Sequence, residues 1–226
     1  GFESREYKFS GDAQEKELLE LINTLNADEK VDGILVQSPL PSHMNEKECF
    51  ARIRADKDVD GFHEINTGKL FLGEKGFVPC TALGVTVLLK KYGIDPAGKE
   101  CVIVGRSNLV GKPLALLMLA ANATVTVCHS RTHDLTAHTK RADILVAATG
   151  KAHLITADMV KEGAVIIDVG ITRTPDGLTG DVDFEAVKEK ASFITPVPGG
   201  VGPMTIAILL SNTYDACVEH TKESRG

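Results

Sequence analysis

Val102 to Val104 is a short apolar run followed by Gly105-Arg106-Ser107-Asn108-Leu109-Val110-Gly111-Lys112-Pro113. This reads as a strand, a tight turn and a helix start. That order sets free backbone N–H groups and the positive end of a helix against a pyrophosphate. The string departs from Gly-x-Gly-x-x-Gly, because Ser107 holds the second glycine position and one extra residue precedes Gly111. A purely structural turn is the competing reading. The next strand narrows the choice. A carboxylate about 20 residues on would accept hydrogen bonds from ribose hydroxyls and mark NAD. Here Thr124–Cys128 runs into His129-Ser130-Arg131, and no acidic residue lies between Gly105 and Asp134. A hydroxyl beside cations suits a 2′-phosphate that a carboxylate would repel, so NADP is favoured. Solvated loop residues at His129 and Arg131 are the plainer alternative. Ala148-Thr149-Gly150 and Val169-Gly170-Ile171 add small residues at two further strand ends, where a nicotinamide can approach. Such glycines also serve simple turns.

Positioning these groups requires a doubly wound sheet, and the chain supplies its rhythm. Strands are expected at Cys101–Val104, Thr124–Cys128, Asp143–Ala147, Ala164–Val169 and Ser192–Thr195, mostly apolar runs of the kind buried in parallel sheets. Helices fit between them at Gly111–Ala121, Leu135–Arg141, Thr156–Lys161 and Asp183–Lys190, and a last helix runs from Met204 to about Glu219. Pro175-Asp176-Gly177 interrupts as a hairpin signal. A smaller α/β piece comes first. Arg5–Phe9 and Val31–Gln37 read as strands, the latter ended by Ser38-Pro39-Leu40-Pro41. Glu15 to Leu25 has helical periodicity, Asn45 to Ile53 reads as a helix capped by Asn45, and Leu83 to Tyr92 is a helix closed by Gly93. A Gly-rich stretch separates Phe62 from Pro79. The pattern begins in mid-stride at Gly1, so an upstream segment is expected.

Composition excludes several classes. The 226 residues are 43% hydrophobic and 25% charged, ordinary for a folded soluble chain of one or two domains. No apolar run approaches the about 18 residues of a membrane span, and no signal peptide is legible. A net charge of −6 argues against nucleic acid and anionic membranes. The absence of Trp and the presence of only three Tyr argue against a base-stacking platform. Five scattered cysteines without a Cys-x-x-Cys pair exclude a disulfide framework and a zinc ribbon. They point to a reducing compartment such as the cytoplasm, and no metal is expected.

Four strings coincide in order along the chain: Val36-Gln37-Ser38-Pro39-Leu40-Pro41, Lys57-Asp58-Val59-Asp60-Gly61, the Gly105 turn, and Pro196-Val197-Pro198-Gly199-Gly200-Val201-Gly202-Pro203-Met204-Thr205. Together they resemble the bifunctional methylenetetrahydrofolate dehydrogenase/methenyltetrahydrofolate cyclohydrolase family, the FolD type, over essentially the whole chain. The resemblance implies a Rossmann-type doubly wound parallel sheet plus a smaller α/β catalytic domain with a cleft between them. The folate-binding part would be 1–82 plus 204–226, and the NADP-binding part 83–203. It implies NADP as cofactor, tetrahydrofolate one-carbon derivatives as substrates, and a homodimer formed through the nucleotide-binding lobe.

Carried over by position, Gln37 and Asp60 resemble the catalytic glutamine and the aspartate that holds the pterin. Val36 and Ser38 flank Gln37 in the substrate wall, and Pro198, Gly199, Gly200, Val201 and Gly202 resemble the loop over the folate. Thr81, Gly105, Arg106, Ser107, Ser130 and Ile171 match the NADP contacts. These residue types suit such roles. A carboxylate can accept two hydrogen bonds from the donor-rich aminopyrimidine edge, and an amide can orient a water or a lysine without titrating. A Pro/Gly loop gives a flat ring a wall free of side chains. Turn formation at Asp58 and Asp60, and a solvated Gln37, remain open.

Two departures stand out. Ser38 replaces the family's usual leucine, removing an apolar contact beside the substrate. No Tyr-x-x-x-Lys pair exists, because Gly11, Pro96 and Val218 stand four residues after Tyr7, Tyr92 and Tyr214. The expected upstream segment would hold that catalytic lysine, and Tyr7 and Lys8 do not replace it. Poor activity of this chain by itself is therefore expected. The competing classes are an NADP-binding, dimerising fragment without turnover and another NADP-linked dehydrogenase, such as a shikimate-type enzyme.

Overall fold

The computed structural model describes residues 1–175 and 177–223. Its first part is built around α1 (Glu15–Ala27) and α2 (Glu46–Arg52). Leu18 and Ile22, four apart on α1, pack with Ile34, Val36, Cys49 and Ile53 in one apolar cluster. Asn45 caps α2 as expected, its side chain accepting from the Glu48 N–H. The far end of α1 is closed by a distant residue. Lys57 Nζ donates to the carbonyls of Leu25, Asn26 and Asp28 at 2.8 to 3.1 Å. These are the carbonyls a helix end leaves without internal partners. Burial lowers the Lys57 pKa from its ordinary value.

Two expected strands are not realised as ladders. Val31–Gln37 keeps strand-like alternation, with Ile34 and Val36 buried and Leu35 and Gln37 exposed. Its bridge is a single parallel one, Ile34 with Asp58, closed by the Ile34 N–H to the Lys57 carbonyl at 2.8 Å. Alternation of side chains is a property of one segment, whereas a ladder needs a second backbone in register. Arg5–Phe9 is exposed throughout, with Lys8 paired to Glu6 at 3.3 Å. Conversely, the stretch read as a loop contains α3 (Glu64–Leu72), started by His63 Nδ1 accepting from Ile65 N–H and stopped by Gly73 at φ 72°. Gly68 within it hid the helical pattern.

The remainder is the expected α/β layer structure. Strands β1 (Glu100–Val104), β2 (Thr124–Cys128), β3 (Ile144–Ala147), β4 (Val165–Asp168) and β7 (Phe193–Ile194) form a parallel sheet in the order β2-β1-β3-β4-β7. Helices α4 (Cys80–Lys91), α5 (Gly111–Ala120), α6 (Leu135–Thr139), α7 (Phe184–Val187) and α8 (Val201–Glu223) accompany it. Two buried clusters line the sheet: Val85, Leu114, Met118 and Ile144 belong to one, Val102, Leu145, Ile155 and Ile166 to the other. β5 (Thr172–Thr174) and β6 (Gly177–Thr179) pair antiparallel around the Pro175-Asp176-Gly177 signal, of which Asp176 lies outside the described residues. The expected helix at 156–161 is only a 3₁₀ turn, Ala157–Met159.

The order of the sheet decides where a ligand can sit. The chain reverses direction of growth between β1 and β3, which opens a crevice beyond their carboxyl ends. Gly105, just past β1, closes that crevice from below. Its φ is 130°, and a Cβ would stand 2.2 Å from the Ala148 carbonyl oxygen beyond β3; at Gly111 a Cβ would stand 2.2 Å from the Gly105 oxygen. Gly105→Ala is therefore expected to cost about 3 kcal/mol or more of stability, read as a lower urea midpoint. Gly150→Ala, at φ 66° with open space around it, is expected to cost about 1 kcal/mol.

Candidate active site

The bridge between Ile34 and Asp58 sets two short segments side by side and parallel, three residues before Gln37 and two before Asp60. Gln37 is exposed, and its Nε2 donates to the Ser38 carbonyl at 3.0 Å. Val36 beside it is buried. The Ser38 hydroxyl donates to Glu46 Oε1 at 2.6 Å, and the Leu40 N–H reaches the same oxygen at 3.3 Å. The serine that replaces leucine thus fastens the substrate wall to the first turn of α2, a gain that partly offsets the lost apolar contact.

The two aspartates separate into different roles. Asp58 accepts from the Phe62 N–H (3.1 Å), the His63 N–H (2.8 Å) and Asn66 Nδ2 (2.8 Å), so the turn-forming reading fits it. Asp60 is half-buried with less support. Burial pushes its carboxyl above the usual range, a hydrogen bond from the Cys80 thiol opposes the rise, and the charge of Asp58 adds to it. Gly61 next to it, at φ 77°, presses on the chain before α4: a Cβ would stand 2.6 Å from the Val78 carbonyl carbon. The Asp60 turn therefore rests on the start of α4, which carries Thr81. The Thr81 hydroxyl in turn meets the Thr205 hydroxyl of α8 at 3.0 Å.

The sheet edge assembles the remaining candidates. Val104 and Cys128 are paired across β1 and β2, and the Gly105 N–H donates to the Cys128 carbonyl at 2.9 Å, so the Gly105 and His129 turns leave the sheet together. Arg106, Ser107, Ser130 and Arg131 are exposed there. Ser107 shapes its own turn, its hydroxyl accepting from the Val110 N–H at 3.1 Å. The His129 turn is held by its N–H to Thr132 Oγ1 at 2.9 Å. This edge fits a phosphorylated dinucleotide: a glycine floor that no Cβ could share, a helix start, and a hydroxyl and guanidinium on the next strand. Ile171 is 58% exposed, and Gly202 comes close enough that a Cβ there would touch its Cδ1 at 3.9 Å. The Pro198–Gly202 loop thus reaches the cofactor edge. Pro198 and Gly199 are exposed, Gly200 is half-buried, and buried Val201 opens α8.

Sequence reasoning missed two buried carboxylates behind this edge. Asp168 accepts the N–H groups of Gly170, Asp181 and Val182 at 2.9 to 3.0 Å. Burial raises its pKa, with those bonds pulling the other way. Asp181 accepts from the Thr149 N–H and hydroxyl and from the Gly150 N–H, which fixes the turn after β3. The signal was present in the neighbouring glycines. A Cβ on Gly170 would lie 2.1 Å from Asp181 Oδ1, and one on Gly180 would lie 1.9 Å from Asp168 Oδ2. A 410 Å³ cavity near Asp143 and Lys161 and a 430 Å³ groove near Phe2 and Tyr214 lie elsewhere and contain none of the candidates.

The sequence models of two family domains match the chain: the tetrahydrofolate dehydrogenase/cyclohydrolase catalytic domain over residues 1–60 and its NAD(P)-binding domain over 79–221. The bifunctional protein FolD of Bacillus licheniformis is 61% identical over 206 residues, covering 91% of this chain and 72% of that one. The crystal structure of the FolD methylenetetrahydrofolate dehydrogenase/cyclohydrolase from Campylobacter jejuni superposes with a TM-score of 0.90 at 55% identity, covering 92% of this chain and 75% of that one. The Trypanosoma brucei FolD structure, complexed with NADP cofactor and inhibitor, gives 0.88 at 36% identity, over 96% and 75%.

The strained protonation state of Asp60 has a measurable consequence. Its folded-state pKa lies above the unfolded value near 3.8, so the ionised carboxylate costs stability at neutral pH, and the cost fades as pH falls through the raised pKa and is gone below the unfolded value. Asp60→Asn is expected to raise stability at pH 7 and to gain nothing near pH 3. Thermal unfolding at the two pH values checks both arms.

Proposed function

Because the chain belongs to the tetrahydrofolate dehydrogenase/cyclohydrolase family, we propose that it oxidises 5,10-methylenetetrahydrofolate with NADP⁺ and hydrolyses the methenyl product to 10-formyltetrahydrofolate. The matches favour neither a fragment without turnover nor another NADP-linked dehydrogenase. The observation that carries the reading at this site is the seating of the Asp60 turn on the start of α4, which ties a folate-type carboxylate to the dinucleotide edge. We assign residues 1–82 and 204–226 to the folate-binding part, whose two segments meet at Thr81 and Thr205, and 83–203 to the NADP-binding part.

Asp60 accepts two hydrogen bonds from the aminopyrimidine edge and so fixes the pterin in its plane. Val36 and Ser38 form the wall beside it, and the Pro198–Gly202 loop covers the ring without side-chain bulk. Thr81, Gly105, Arg106, Ser107, Ser130 and Ile171 hold the dinucleotide, with Arg131 beside Ser130 at the 2′-phosphate. Bound NADP⁺ supplies the hydride acceptor. The chain's part in that step is alignment, which by itself lowers such barriers substantially. In the hydrolytic step Gln37 orients the attacking water through its amide. Neither Lys8 nor Lys57 is suited to carry the proton: Lys8 is paired with Glu6, and Lys57 is committed to three carbonyls.

The chain assembles as a homodimer and works in the cytoplasm in this reading. Four of its five free cysteines are buried, and no helix among the described residues is long and apolar enough to cross a membrane.

Two measurements test the proposal. In spectrophotometric assays, NADP⁺-dependent oxidation of methylenetetrahydrofolate and hydrolysis of the methenyl product are both expected. No response to methylenetetrahydrofolate would contradict the proposal. Separately, Ser130→Ala/Arg131→Ala is expected to raise the KM for NADP⁺ about tenfold, with NAD⁺ use unchanged; a parallel loss of both cofactors would sink the 2′-phosphate assignment.

A further inference from the structure

Strand order decides which turn at the sheet edge meets which part of a dinucleotide. Ser130 and Arg131 follow β2, the Gly105 turn follows β1, Thr149 and Gly150 follow β3, and Gly170 and Ile171 follow β4. Neighbouring strands lie about 4.8 Å apart, so β4 stands about 14 Å from β2. With the 2′-phosphate at β2 and the pyrophosphate at the Gly105 turn, the nicotinamide half falls to the turns after β3 and β4. The ladder carries these turns out of the sheet together. The Ala148 N–H donates to the Val104 carbonyl and the Val169 N–H to the Ala147 carbonyl, both at 2.8 Å.

Beyond the ladder, one side chain ties the last two turns to each other. Asp181 is fully buried and stands 32 residues past Thr149 in the chain. Its Oδ2 accepts from the Thr149 N–H, from the Thr149 hydroxyl at 2.9 Å and from the Gly150 N–H at 3.1 Å. Its Oδ1 has no hydrogen-bond partner among the described residues and packs on Gly170, where a Cβ would stand 2.1 Å from it. Asp181 is itself held from both sides. Its N–H donates to Asp168 Oδ1 at 3.0 Å, and its carbonyl accepts from the Ile155 N–H at 3.0 Å. The same Asp168 oxygen takes the Gly170 N–H at 3.0 Å. A buried carboxylate oxygen without a donor is a costly way to pin a loop, and such groups concentrate where a site needs a fixed shape.

We propose that Asp181 is a positioning residue for hydride transfer: it locks the Thr149–Gly150 turn against Gly170 and so fixes the wall on which the nicotinamide lies. The proposal rests on reading this edge as the NADP site and adds what sets its nicotinamide end. The adenosine end is held separately, at Gly105, Ser107, Ser130 and Arg131. Hydride transfer is steeply sensitive to alignment, and a supporting turn misplaced by about 1 Å costs on the order of 100-fold. Hydrolysis of the methenyl product consumes water and no dinucleotide, so it is indifferent to this turn.

The test uses the whole chain and the variants Asp181→Asn, Thr149→Val and Thr149→Ser. Calorimetry gives the Kd of NADP⁺ and of adenosine 2′,5′-bisphosphate, a fragment that lacks the nicotinamide half. Spectrophotometry gives kcat for methylenetetrahydrofolate oxidation and, without dinucleotide, for methenyltetrahydrofolate hydrolysis. Asp181→Asn puts an NH₂ group either among the three donors or against Gly170, and both placements move the turn. It is expected to weaken NADP⁺ about fivefold, with the fragment Kd held within about twofold, and to lower the oxidation kcat about 30-fold, with hydrolysis held within about twofold. Thr149→Val removes the hydroxyl donor at nearly constant shape and moves the same readouts less far. Thr149→Ser keeps the hydroxyl and restores them. If NADP⁺ and the fragment weaken together, or oxidation and hydrolysis fall in proportion, Asp181 only supports the fold and the proposal is overturned. It is equally overturned if NADP⁺ affinity and oxidation are unmoved, or if Thr149→Ser behaves like Thr149→Val. If the unaltered chain oxidises no methylenetetrahydrofolate, the proposed function fails instead, and the comparison of NADP⁺ with its fragment still decides the role of Asp181. Should Asp181→Asn not fold, the two Thr149 variants carry the same decision.

Discussion

Gly61 marks the tightest constraint between the two halves of the candidate site. With φ at 77° and no room for a Cβ against the Val78 and Pro79 backbone, the Asp60 turn lies flush on the residues that start α4. A helix and a loop in contact without intervening side chains cannot slide independently, because packed interiors have almost no free volume to yield. The group proposed to hold the pterin and the helix start proposed to touch the dinucleotide are therefore one rigid piece. Hydride transfer demands that kind of fixed separation more than it demands any acid or base.

Around this contact the carboxylates that the fold buries hold loops together, although Asp181 does so through Oδ2 alone and its Oδ1 has no partner among the described residues. Asp58, Asp168 and Asp181 each collect several donors, and each holds a loop together: the turn into α3, the strand end before Gly170, and the turn after β3. A buried carboxylate with two or three N–H partners is bound up in structure. Asp60 is the contrasting case, half-buried, its pKa raised by burial and lowered in part by a single thiol. A carboxylate that is not spent on backbone donors can accept from a ligand edge rich in N–H groups.

The layered α/β architecture was legible from short apolar runs and turn residues, and its strand positions agree with the sheet to within a residue or two. The failures share a cause. Val31–Gln37 has the side-chain alternation of a strand but only one backbone partner, Lys57–Asp58, so it does not become one. The helix at Glu64–Leu72 was masked by Gly68 and revealed by a histidine cap that propensity alone does not announce. At the site, glycine positions in the Gly105 turn were readable because a turn is a local event. Asp168 and Asp181 were not, since their partners are backbone amides brought together by the sheet order.

What the sequence determined by itself is thus everything that acts over a few residues: the strand, turn and helix succession, the exposed Ser130 and Arg131 beside a strand end, and the motif strings that resemble a folate-handling family. Tertiary structure alone decided which of the two aspartates in Lys57-Asp58-Val59-Asp60 is consumed by the fold and which stays available. That choice depends on donors contributed by Asn66, Cys80 and Asn212, which lie 6 to 152 residues beyond Asp60 in the chain and reach the Asp58–Asp60 turn only through packing. Hydrogen-bond satisfaction is a property of the neighbourhood in space, and no local pattern encodes it.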